Sequence, residues 1–123
     1  MKQDLKKQIA KSIAIQIYEA YPTLWDRFGE RGFDHTEKDN MHHLDHLETA
    51  YGLNDRQVFL EYTLWLEKVL TSRNVESDLI IDNFERLIGL LDAEVELKER
   101  EFMQQCLQEA IDLLKGSNLK KGG

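Results

Sequence analysis

One proline and one cysteine occur in 123 residues, and no apolar run is long enough to cross a bilayer. Two of the seven glycines are the last two residues, so little turn chemistry is left for the rest of the chain. A sandwich or barrel needs a turn about every 8–12 residues, which excludes an all-β fold. The lone Cys106 excludes an internal disulfide framework and fits a reducing compartment. Gln8, Lys11 and Gln16 interrupt the apolar stretch near the N-terminus, so no signal-peptide pattern forms. The expected location is the cytoplasm, with no membrane partner.

Basic charge is scarce too. Lysine and arginine number 16 against 23 acidic residues, for a net charge of −7. Neutralising phosphates needs a clustered basic surface, so nucleic acid is not an expected partner. The basic concentration is Lys2, Lys6, Lys7 and Lys11, which Asp4 interrupts, while the segment from Glu76 to Glu101 is strongly acidic. They read as two helices that either attract one another or serve to keep the chain in solution, the second being the plainer reading.

What is present is helical periodicity. Leu5, Ile9, Ile13 and Ile17 recur every four residues, which predicts a first helix from about Gln3 to Ala20. Pro22 suits the first turn of a short second helix carrying Leu24, Trp25 and Phe28, and Gly29 and Gly32 mark a joint after it. Thr36 and Asp39 resemble a capping box for a third helix running through Tyr51, with a start near Asp34 as the alternative and Gly52 as its stop. Asn54 is the expected cap of a fourth helix, with Gln57 at the reciprocal position. Phe59, Tyr62, Leu66 and Val69 line that helix, widened by Val58, Trp65 and Leu70, a stripe broad enough to put it at the centre of a bundle. Ser77 is the next cap candidate. After it, Ile80, Phe84, Leu87, Ile88, Leu91, Val95, Phe102, Cys106, Ala110 and Leu113 form either one long helix or two with a soft bend near Asp92. The expected fold is all-α: a compact bundle of five or six helices in one domain, residues 1–115, with a disordered tail at 116–123.

All four histidines fall between His35 and His46. At about 100° per residue, His35, Asp39, His42, His43 and His46 share roughly one 100° arc of a helix. His42 and His46 form an i, i+4 pair, a spacing that can hold a metal, and Asp39 can act as ligand or orient His43. A tetrahedral site needs three or four converging ligands, so carboxylates such as Glu61 or Glu67 would have to complete it. The plainer reading is that His43 packs at the edge of the apolar face while the others are solvated or hydrogen-bonded; a pH-sensitive contact is a third reading. A globin-type haem is not expected, because its proximal histidine would fall well past the middle of the chain, where there is none. No cofactor is expected.

Catalytic motifs are missing as well: no GxSxG, no P-loop and no GxGxxG after a strand. Cys106 sits on an apolar stripe with Phe102 and Ala110 and reads as core. The pairs Glu94 with Glu96 and Glu99 with Glu101 lie in a charge-rich, solvated stretch, so no enzyme is expected. Trp25, Phe28, Phe59, Tyr62 and Trp65 can line an apolar ligand pocket between helices or, if exposed, a contact surface, where tryptophan is enriched.

One stretch is familiar: Tyr21-Pro22-Thr23-Leu24-Trp25-Asp26-Arg27-Phe28-Gly29-Glu30-Arg31-Gly32, then Asp39 and His42-His43-Leu44, then Phe59-Leu60-Glu61-Tyr62 with Trp65 and Arg73. It resembles a small bacterial helical domain found as stand-alone proteins and in regulators that carry a cobalamin-binding module. The likeness covers roughly residues 20 to 90. The resemblance implies an accessory or sensory role and leaves the ligand open. No α/β module accompanies it here, so cobalamin binding is not expected. The leading expectation is a non-catalytic regulatory or sensory module that acts through contact with a protein partner or through self-association, with a homodimer as one form. The alternatives are a small-apolar-ligand sensor with an inter-helix pocket, like haemless globin-like sensors, and a metal-binding bundle that uses the histidine stripe.

Overall fold

A computed structural model describes the backbone of residues 1–122 and the side chains of residues 1–116. Among the described residues there are five α-helices and no strand: α1 (Gln3–Ala20), α2 (Thr23–Leu53), α3 (Gln57–Ser72), α4 (Ser77–Leu90) and α5 (Leu97–Gly122). The all-α expectation is met. The chain divides into two compact units, Met1–Asp45 and His46–Gly123, and the division falls inside α2.

In the first unit, α1 buries Ile9, Ala10, Ile13, Ala14, Ile17 and Tyr18, the four-residue stripe read from the sequence. Lys6 is also buried, and its ammonium reaches Asp45 at 2.6 Å, so it belongs to an ion pair rather than to a free basic face. Pro22 lies in the turn before α2 and accepts the Trp25 N–H at 3.1 Å.

The expected joint at the glycine pair is a kink inside α2. Gly29 adopts φ 63° and ψ −160°, a region open essentially to glycine alone. Helix resumes straight after it, so Gly32 is helical and the third helix starts neither at Thr36 nor near Asp34. Gly32 has a different role. A β-carbon there would lie 2.5 Å from the Tyr18 hydroxyl oxygen and would collide with the Phe28 β-carbon. Thr36 does not cap a helix. Its hydroxyl donates to the Gly32 carbonyl at 2.9 Å, the backward bond a mid-helix threonine makes.

In the second unit, α4 packs most extensively on α5, and α3 packs on both. The helix ends explain where the expected caps went astray. Asn54 does not cap α3; with φ 51° it terminates α2 in the left-handed conformation. The Asn54 N–H bonds the Tyr51 carbonyl and the Asp55 N–H bonds that of Ala50, a Schellman pattern. Gly52 is therefore still helical. Asp55 supplies the carboxylate that accepts the Gln57 N–H at 3.0 Å. Asn74, at φ 66°, closes α3 in the same way through Thr71 and Leu70. Ser77 is buried, and its hydroxyl donates to Glu67 on α3 at 2.8 Å instead of capping α4.

The last third is two helices, not one. Asp92 accepts the Glu94 N–H at 3.0 Å and Glu96 accepts that of Glu99 at 3.1 Å. The carboxyl of Glu96 is held below its ordinary range by the N–H groups of Lys98 and Glu99. From α5, the Gln104 amide donates to the carbonyls of Ile88 (3.1 Å) and Leu91 (3.0 Å), covering the end of α4. Leu91 and Val95 anchor the connection by being buried. The bounds of α5 run past Lys115 to Gly122, and the side chains of the expected tail beyond 116 lie outside the described residues.

Candidate functional site

The kink at Gly29 and the straight helix after it place the whole histidine segment on α2. His35 and His42 are exposed, His43 is 3% exposed, and Asp39 is half-buried. His46 belongs to the second unit, where its ring stacks on Tyr62 at 3.8 Å between centroids, 16° from parallel. Glu61 is exposed, and Glu67 is buried against Ser77. Among the described residues no three of His, Cys, Asp or Glu gather where they could hold a metal ion. Stripe membership put these side chains in one sector, but burial and stacking send them to different surroundings.

The aromatic residues also divide. In the first unit, Trp25 is 45% exposed yet stacks on Phe33 at 5.5 Å and makes a T-shaped pair with Tyr18 at 4.6 Å. Phe28 is half-buried, with the Arg27 guanidinium 4.9 Å from its centroid. In the second unit, Phe59 is fully buried and meets Phe84 at 5.5 Å and Tyr62 at 5.6 Å, so it is core. Tyr62 is 7% exposed. Trp65 lies 6.0 Å from Tyr62 and is 59% exposed.

The second unit carries an open groove of about 730 Å³ between the start of α3 and α5. Its lining residues are polar or charged apart from Leu60 and Leu113, and Arg56 pairs with Glu109 there at 3.0 Å. That chemistry differs from the apolar pocket the aromatic residues suggested.

What α3 presents outward is the more distinctive feature. Its buried face is Phe59, Tyr62, Thr63, Leu66 and Glu67. Leu64 and Trp65, consecutive and both large, lie outside, with Glu61 and Lys68 exposed on either side. Periodicity places Trp65 either in a broad core stripe or, if exposed, on a contact surface; it is exposed, so the core stripe is narrower than its spacing suggests. Leu64, which is not among the candidate residues of the sequence, lies one turn from Glu61 and Lys68 and shares their sector. The signal was present as an apolar pair between opposite charges, but core and contact surface look alike in periodicity.

The described structure is thus an all-α chain with an outward apolar pair on a short helix. Comparison with protein-family models, curated proteins and solved structures finds no match for this chain.

Proposed function

We propose that this protein is a non-catalytic helical module, regulatory or sensory in role, that acts by binding protein. The observation that carries this reading is the exposure of Leu64 and Trp65 side by side on α3, 48% and 59% respectively. Covering such side chains removes apolar surface from water at about 25 cal/mol per Å², and tryptophan is prominent among residues that dominate contact energies. Leu53 and Leu97, also in the second unit, are exposed at 66% and 54%.

Cys106 gives no support to a catalytic alternative, since it is fully buried with its thiol pushed up to about 12. An activated nucleophile needs the opposite shift.

A native mass spectrum of the protein purified without chelator tests the proposal. Bare polypeptide, in whatever number of copies, agrees with it. A retained small molecule of a few hundred daltons, or a chelatable metal ion, contradicts it and moves the function to ligand or metal sensing.

A further inference from the structure

On α3, Gln57, Glu61, Leu64, Trp65, Lys68 and Ser72 are all exposed. At about 100° per residue they occupy a sector of roughly 100°, so they form one outward stripe along the whole helix. Its order is polar, acidic, apolar, apolar, basic, polar. The midpoint lies between Leu64 and Trp65, and the charges stand at equal distances from it, Glu61 on one side and Lys68 on the other.

This is the pattern of a surface complementary to itself. In a two-fold interface, if residue i touches j on the other copy, then j touches i. We propose that the occupant of this stripe is a second copy of the chain, its α3 crossing antiparallel about an axis between Leu64 and Trp65. Leu64 and Trp65 then cover each other at the centre. Glu61 faces Lys68 of the second copy, the reverse pair forms on the other side, and Gln57 faces Ser72. A parallel arrangement sets Glu61 on Glu61 and Lys68 on Lys68, which like-charge repulsion disfavours.

The two parts of the stripe do different work. The apolar centre supplies attraction, whereas exposed ion pairs add little energy and mainly select orientation. One short helix on another is small beside the roughly 800 Å² per partner of a standard interface. The dimer is accordingly concentration-dependent. The inference rests on the reading of the chain as a contact module and names its partner.

Charge-reversal variants test it by sedimentation velocity over a dilution series. Glu61→Lys and Lys68→Glu change exposed positions, and circular dichroism checks that each variant folds. The wild type is expected to associate with rising concentration. Each variant alone brings two like-charge pairs together and is expected to weaken association about tenfold or more. An equimolar mixture of the two variants restores opposite charges at both contacts and is expected to regain association as a heterodimer. A wild type that stays monomeric overturns the pairing, and so does a mixture that associates no better than the separate variants. Association that survives unchanged in both variants overturns the α3 interface but leaves the contact reading standing. Retained ligand or metal in the mass spectrum is what removes that reading.

Discussion

The hydroxyl of Ser77 donates a 2.8 Å hydrogen bond to the carboxylate of Glu67, and both side chains are buried. The bond ties the start of α4 to the buried face of α3, in its C-terminal half. Ser77→Ala takes a donor from a buried carboxylate, which costs about 1–3 kcal/mol. A lower urea midpoint with unchanged slope is the expected result. A midpoint equal to wild type would show that this bond does not hold α4 against α3.

Gly32 and Gly89 should respond in opposite directions to alanine. Nothing lies within 4 Å of a β-carbon at Gly89, so Gly89→Ala is expected to gain about 0.4–1 kcal/mol by restricting the unfolded chain. At Gly32 the new carbon meets the Tyr18 hydroxyl and the Phe28 β-carbon, and the second cannot swing aside. Overpacking of about 1–3 kcal/mol should exceed the helix-propensity gain. Thermal melts of the two variants check the contrast, and a stabilised Gly32→Ala would contradict it.

Stability should fall in alkali. Burial raises the thiol of Cys106 from 9.0 to about 12, and burial also raises Tyr18, partly offset by its hydrogen bond to Thr36. A raised pKa in the folded state means the unfolded chain releases its proton first. The contribution is therefore intact below about pH 9 and is lost as pH climbs toward 12. Urea midpoints taken from neutral pH upward should decline over that range. Thiol labelling at neutral pH should be slow in the folded protein and fast in urea.

His46 should matter for packing and not for metal. Its stack on Tyr62 is an aromatic contact of the kind worth about 0.5–1.5 kcal/mol. His46→Ala should lower stability by that order and leave the metal content of the purified protein unchanged. A drop in bound metal in this variant would restore the histidine stripe as a site.

The fold was legible where a side chain has one job. Ile9, Ile13 and Ile17 can only be buried, and α1 has the expected limits. Phe59, Phe84 and Cys106 are likewise core. The misread positions are residues with two uses. Thr36, Asn54 and Ser77 are good caps, yet they serve as a backward hydroxyl, a left-handed terminator and a cross-helix donor. The break between α4 and α5 has no glycine or proline to announce it and is made by the carboxylates of Asp92 and Glu96. The candidate surface was hidden for the same reason, because an apolar residue one position off the core stripe looks like a wider core. Only the burial of Tyr62 and Leu66 against the exposure of Leu64 and Trp65 separates the two.

The central claim is that a second copy of the chain covers Trp65. The chain has two tryptophans, so Trp25→Phe leaves Trp65 as the only indole emitter. Its emission maximum should lie to the blue in concentrated solution and move to the red on dilution, as an indole buried between two copies returns to water. An emission that is red and unchanged at every concentration would mean that no second copy covers Trp65 and would contradict the account.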